Sequence, residues 1–317
     1  MEYIKVSEAA ARWGVSARRV RLLCAEGRIA GVVRRGNLYM IPSDAAWPSD
    51  ARRRNGRSAS ENPLFERIDH LKQQLSVCRP LSPAEVAALR EEFLVEHTYS
   101  SNAIEGNTLT LKETQLVLQG ITIDKKPLKD HLETVGYKEA FEYAEQLASE
   151  HKPLTDYDIR AIHSLVLADR REDRGRWRRV PVSIMGALTK PVQPYQIEPM
   201  VTALLNDMET TYLQKHIIER VALFHLRFES IHPFIDGNGR TGRLLMNLQL
   251  IQAGYPPINV KFSDRRRYYE AFDSYTATGS PQAMVTLVAE YLEERLTAML
   301  ETIGSTTSSR QYYILPR

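Results

Sequence analysis

The stretch His232-Pro-Phe-Ile-Asp-Gly-Asn-Gly-Arg-Thr-Gly-Arg243 decides how this chain is read. It joins an imidazole, a carboxylate four residues on, two glycines around an asparagine, and two arginines three apart. The following run, Arg240 to Gln252, has helical spacing, so Gly237 to Arg240 form a loop opening into a helix N-terminus. Backbone N–H groups at such an end carry partial positive charge and suit phosphate. Glycines let that backbone come close. Arg240 and Arg243, at i and i+3, share a helix face from which they can clamp a polyphosphate. Asp236 is a hard oxygen ligand for Mg2+, which takes one or two carboxylates plus substrate phosphates. Imidazoles suit proton transfer near neutral pH, so His232 can take a proton from an attacking hydroxyl. Together these parts specify Mg2+-nucleotide phosphate chemistry.

Rival readings fit worse. Gly237-Asn-Gly239-Arg-Thr-Gly242 matches G-x-G-x-x-G, but the dinucleotide fingerprint needs a preceding buried strand, and Val221, Phe224, Phe228 and Ile231 have helical spacing. A Walker loop is excluded because the Gly-Lys-Ser/Thr ending is absent. A metal site of His225, His232 and Asp236 is set against the apolar setting of His225 (ALFHLRF), which favours a core histidine.

Outward from this stretch, helical periodicity prevails. Pro83 to Ile104 places Val86, Leu89, Phe93, Leu94 and His97 at spacings of 3 and 4, with Ser82 as N-cap and Pro83 at N1. Further amphipathic runs cover 111–119, 130–149, 155–168, 197–212, 216–230, 240–253, 265–277 and 281–302. Val180 to Pro194 (VPVSIMGALTKPVQP) breaks the pattern: it alternates, turns and is Pro-bounded, which predicts a β-hairpin. Pro48 to Asn62 (PSDARRRNGRSASEN) is almost devoid of apolar residues and reads as a linker.

Ahead of the linker, Ser7 caps a first helix over Glu8 to Trp13, and Ser16 caps a second carrying Arg18, Arg19 and Arg21. Ile29 to Ile41 alternates as a hairpin around Arg35-Gly36-Asn37. Helix, turn, helix and wing resemble the excisionase or MerR-like DNA-binding family. That resemblance implies that the second helix enters the major groove, with Arg18, Arg19 and Arg21 against phosphates or bases. A helical cap docking on protein would have the same outline.

Composition is consistent with this division. At 317 residues, 43% hydrophobic and 26% charged, the chain is an ordinary globular sequence with room for two domains. No run reaches the roughly 18 apolar residues of a membrane helix, and the polar start lacks a signal peptide's apolar core. Two cysteines, Cys24 and Cys78, supply neither a disulfide framework nor a Cys-rich zinc site. A cytoplasmic location is expected. Residues 1–60 carry 12 Lys/Arg against 5 Asp/Glu, while the whole chain nets only +3. A basic head on a mildly acidic body calls for an acidic partner such as nucleic acid, or is a solvated basic surface.

The central stretch resembles the signature of the Fic family, H-x-F-x-[D/E]-G-N-G-R-x-x-R, at every position. The likeness extends over about residues 63–302 and is close to the animal Fic-type AMP-transferases. It implies transfer of AMP from Mg-ATP to a Ser, Thr or Tyr hydroxyl of a protein, the chain itself included. His232 is then the base, Asp236 the Mg2+ ligand, and Gly237, Asn238, Gly239 and Arg240 the anion hole, with Thr241 and Arg243 completing the nucleotide site. Gly239 stands where kinase-like relatives carry lysine. The Val180–Pro194 hairpin resembles the family's flap, bordering the nucleotide with Met185, Gly186, Ala187 and Leu188. Its close relatives carry a histidine pair after the glycine, where this chain has Ala187 and Leu188. Tyr268 and Tyr269 match the aromatics beside adenine, or are core tyrosines.

Upstream, Ser101-Asn-Ala-Ile-Glu105-Gly106 resembles the family's inhibitory motif, [S/T]-x-x-x-E-[G/N], on a helix over about 83–105. A carboxylate in the last helical turn opposes the helix dipole unless a cation compensates, and the resemblance makes Arg243 that cation. Paired with Glu105, Arg243 cannot hold the γ-phosphate. The same Glu105 can instead position a water that removes AMP. The expected architecture is therefore mainly α: a winged helix-turn-helix over 1–48, a linker over 49–62, an all-helical Fic domain with one hairpin flap over 63–302, and a tail over 303–317. A DNA-binding regulator with a nucleotide-sensing site is the alternative. A homo-oligomer is compatible with this reading.

Overall fold

The computed structural model describes residues 3–13, 20–21, 23–24, 29, 31–36, 38–43, 45, 62–78 and 81–311. The chain divides into two compact units, Met1–Ser60 and Glu61–Arg317. No helix among the described residues is long and apolar enough to cross a membrane.

The first unit contains β1 (Tyr3–Lys5), α1 (Val6–Trp13), β2 (Val33–Arg35) and β3 (Leu38–Pro42). The strands form an antiparallel sheet in the order β1-β3-β2, with Tyr3 opposite Pro42 and Val33 opposite Met40. Gly36, at φ 61°, turns β2 into β3, a conformation open to a residue without Cβ. Ala9, Val20, Leu23, Ile29 and Ile41 make its small core. Val20, Arg21, Leu23 and Cys24 are helical and Arg21 is exposed, whereas Arg18 and Arg19 lie outside the described residues, as does the linker apart from Asn62.

The second unit is helical: α2 (Pro63–Val77), α3 (Pro83–Ile104), α4 (Leu111–Leu118), α5 (Leu128–Ser149), α6 (Asp156–Val166), α7 (Ile197–Glu209), α8 (Ile217–Ile231), α9 (Asn238–Gln252), α10 (Arg265–Thr278) and α11 (Gln282–Gln311). Most bounds fall within two or three residues of the periodicity. The helix α2 was not anticipated, and α11 runs through the boundary placed at 302. The capping box of α3 forms: Ser82 Oγ accepts from the Glu85 amide while the Glu85 carboxylate accepts from the Ser82 amide, an arrangement that contributes about 1 kcal/mol.

Two apolar cores flank the centre of this unit. Val221 and Leu226 of α8 and Met246 and Leu250 of α9 face one, with α2 and α11. Phe224 and Phe228 of α8 and Leu244 and Leu248 of α9 face the other, with α5, α6 and α7. Because both faces of α8 and α9 are packed, the loop joining them is carried on two fixed supports.

One expectation fails. No strand forms in 180–193; the segment is a loop with a turn at Met185–Gly186, closed by the Ala187 amide donating to the Ile184 carbonyl at 3.3 Å. Pro181, Pro191 and Pro194 have no N–H to give to a ladder. The two arms are instead joined through one side chain, Arg178, which donates to the carbonyls of Val180 at 3.0 Å and Val192 at 2.5 Å.

Candidate active site

The loop His232–Gly237 is bent at both ends. His232 ends α8 in the left-handed region, at φ 50°, and Gly237 precedes α9 at φ 76°. Asn238 closes the bend, its Oδ1 accepting from the Phe234 amide and its Nδ2 donating to the Phe234 carbonyl, each at 2.9 Å. The Thr241 amide is the first to return to the helix, donating to the Gly237 carbonyl at 3.0 Å. The amides of Asn238, Gly239 and Arg240 therefore lack intrahelical acceptors, as the first turn of any helix requires. Thr241 is fully buried, with its amide already committed.

Two residues outside the signature hold this loop from behind. His163 is fully buried; its Nε2 donates to the Asp236 carbonyl at 2.9 Å and its Nδ1 accepts from the Gly175 amide at 3.0 Å. Those partners fix the neutral tautomer, and burial pushes its pKa down to about 4. Its ring lies flat on Phe234, centroids 3.6 Å apart. Arg178, 5% exposed, donates to the carbonyls of His232 at 2.8 Å and Ile231 at 3.4 Å besides the two loop arms. Six arginines stand between 170 and 179, and no spacing distinguishes the buried one.

The two signature arginines have different surroundings. Arg240 is 2% exposed and pairs with Glu133 at 3.0 Å and Asp236 at 3.5 Å. Arg243 is 1% exposed and pairs with Glu105 at 2.8 Å. Its Nε donates to Ser101 Oγ at 2.8 Å, its Nη2 to the Ser101 carbonyl at 2.9 Å, and its Nη1 to Tyr268 at 3.3 Å. Burial opposes the Arg243 charge, but the surrounding Tyr268, Glu105 and Tyr137 oxygens more than offset it and raise its pKa. Glu105 is the C-cap of α3, so the carboxylate is delivered by a rigid helix end. A Cβ on Gly239 would lie 2.3 Å from Glu105 Oε1, which puts the carboxylate over the first turn of α9.

A cavity of about 260 Å3 opens at this point. Its lining brings together Glu105, His232, Gly239 and Arg243 with Met185, Gly186 and Ala187 of the loop. Tyr268 and Tyr269 also line it, joined by Glu229, Phe272 and Asp273, which sequence reasoning missed. Leu188 contributes through its amide, which ties the loop to Asp273 at 3.0 Å. Tyr268 is 1% exposed and bonded to the buried His225 at 2.6 Å, whereas Tyr269 is 41% exposed. Asp236, Gly237, Asn238, Arg240 and Thr241 do not line the cavity. Asp236, with a side chain 34% exposed, has its Oδ2 3.2 Å from Arg170. Burial would raise its pKa, but Arg240, the Gly237 amide and Arg170 hold it below the usual carboxylate range.

The geometry is a helix N-terminus, a histidine and a buried arginine around one cavity, and residues 153–250 match the Fic/DOC family. The chain carries a Fic domain. Over 248 residues it is 34% identical to the protein adenylyltransferase Fic of Nematostella vectensis, covering 76% of this chain and 56% of that protein. The chain spans about half the length of the curated relatives it matches. Among solved structures, a Fic domain-containing signalling protein of Bacteroides thetaiotaomicron aligns at 27% identity and a TM-score of 0.69, over 76% of this chain and 97% of that one. Fic-1 of C. elegans aligns at 27% identity and a TM-score of 0.70, over 81% of this chain and 76% of that one. In this Fic domain the signature loop is framed by α8 and α9, and α3 brings Glu105 to it from outside the matched residues.

Proposed function

We propose that the Fic domain is a protein adenylyltransferase, moving AMP from Mg-ATP to a Ser, Thr or Tyr hydroxyl of a protein, and that Glu105 restrains it. The Glu105–Arg243 pair carries this reading. A buried guanidinium beside free helix-end amides is an anion site, and here a carboxylate of the same chain already occupies it. The names of the relatives support the reaction class.

Asp236 fits a Mg2+ ion: it offers one partly exposed hard carboxylate next to the anion site, and its Arg170 partner, 40% exposed, can be displaced. Bound there with the nucleotide, Mg2+ would neutralise phosphate charge. The chain's own residues do the rest. The amides of Asn238, Gly239 and Arg240 hold phosphate oxygens, and Arg243, once released by Glu105, holds the γ-phosphate. His232 takes the proton as the target hydroxyl oxygen bonds to the α-phosphorus and the bond to pyrophosphate breaks. Tyr269 and the loop around Met185 border the base.

Purified protein incubated with labelled ATP and Mg2+ tests this. Glu105→Gly should label itself well above wild type, and His232→Ala in that background should lose labelling by at least ~10²-fold while still binding ATP. A folded Glu105→Gly protein that labels neither itself nor any added protein would sink the proposal.

For the first unit we infer DNA binding, on its excess of basic residues and its helix-plus-hairpin arrangement. Its salt dependence is the test taken up below.

A further inference from the structure

Glu229 has no part in the chemistry above, yet it is a carboxylate buried at the site. Its side chain is 12% exposed, and its Oε1 is fully enclosed without a hydrogen-bond partner. Enclosing a carboxylate oxygen without a partner is costly, so its retention calls for an explanation. The group that faces it is His232. Nδ1 of His232 lies 3.5 Å from Glu229 Oε2 and is likewise enclosed without a hydrogen bond.

The placement comes from the backbone. Glu229 and His232 are at i and i+3 across the last turn of α8, the spacing that puts side chains side by side. The left-handed backbone of His232 ends the helix there. From the opposite side α9 closes on the carboxylate: a Cβ on Gly242 would come within 2.8 Å of Glu229 Oε1 and 2.7 Å of His225 Cε1. With Nδ1 enclosed and the ring lining the cavity, Nε2 is the nitrogen open to a substrate.

We propose that Glu229 is the positioning residue of a carboxylate–imidazole pair, accepting the Nδ1–H of His232 so that the Nε2 lone pair faces the cavity. The inference rests on the transfer reading above. As the hydroxyl oxygen bonds to phosphorus, its proton passes to Nε2, and the electron pair of the breaking P–O bond leaves with pyrophosphate. Glu229 accepts the Nδ1–H throughout and steadies the imidazolium, the role a carboxylate takes in unrelated nucleophile–histidine sites. Catalytic hydrogen bonds of unliganded sites are often long and tighten with substrate.

Two variants in the full-length Glu105→Gly protein test this. Glu229→Leu removes the acceptor that holds the Nδ1–H, so kcat for labelling should fall by ~10²-fold while the KM for ATP stays within about threefold. Glu229→Gln keeps an acceptor without the charge and should recover part of that loss. Nitrogen-15 histidine spectra, with His232 assigned by its disappearance in His232→Ala, should show Nδ1–H in the parent and a shift toward Nε2–H in Glu229→Leu. That readout needs no transfer, so a tautomer shift in a protein that labels nothing would leave the pair standing and reject only the transfer reading. An unchanged tautomer, retained kcat, or a rise in KM alone would each overturn the proposal.

Discussion

Ser101 grips Arg243 with two atoms, its Oγ accepting from Nε at 2.8 Å and its carbonyl from Nη2 at 2.9 Å. Glu105 takes a second bond from that same Nη2, at 2.8 Å. On the proposed reading, removing the Glu105 carboxylate subtracts the competing anion without setting the guanidinium loose. In the Glu105→Gly background, Ser101→Ala should weaken ATP binding about tenfold, the worth of one hydrogen bond to a charged group. Calorimetric titration measures it, and unaltered affinity would mean that Ser101 does not place Arg243.

Arg178 joins four backbone carbonyls, with no carboxylate partner among the described residues. Arg178→Met should leave several of them unsatisfied and lower stability by about 2–4 kcal/mol. Amide exchange over 181–193 should accelerate, because the arms of that loop lose their common tie. Equal exchange in parent and variant would show that other contacts hold the loop.

Three buried histidines make the fold acid-sensitive. Burial depresses His97 and His225 to about 3 and His163 to about 4, whereas in the unfolded chain each titrates near 6.5. Above pH 6.5 neither state is protonated and their contribution to stability is complete. As pH falls from 6.5 toward 4, the unfolded chain takes up as many as three protons that the folded chain refuses, so unfolding free energy drops by up to roughly 4 kcal/mol per pH unit. Urea melts between pH 7.5 and 5 should show this slope, and His163→Gln should remove about a third of it. A flat profile across that window would contradict the neutral buried state.

The first unit should bind DNA with an affinity that falls steeply with salt, at a log–log slope near −0.9 per phosphate contacted. Arg18→Ala, Arg19→Ala and Arg21→Ala together should flatten it. Binding indifferent to salt and to these arginines would assign the basic face to another role.

Much of the body was legible because helices announce themselves locally. Ser82 and Pro83 give the start of α3, and Glu105 followed by Gly106 gives its end. The signature loop was legible for the same reason: glycine, asparagine and the helix start lie within six residues of one another. Helix α2 was missed although Asn62 caps it, accepting from the Leu64 amide at 3.1 Å, because its polar, arginine-rich approach reads as linker. What stayed hidden depends on distant backbone. Arg178, His163 and Glu133 act on carbonyls, amides and an arginine brought near only by the packing of α5, α6, α8 and α9, and no local spacing encodes that. The loop 180–193 misled because alternation describes an extended chain whether or not a partner strand exists.

On the proposed reading, the position of the Glu105 carboxylate over the first turn of α9 has a kinetic consequence. A competitor attached to the same chain has an effective concentration set by geometry, so diluting the protein cannot relieve it. Abundant nucleotide must outbid a resident that never diffuses away. Restraint of this kind would be switched by leverage rather than by dose: a shift of the last turn of α3, which carries Glu105, would empty the seat above α9.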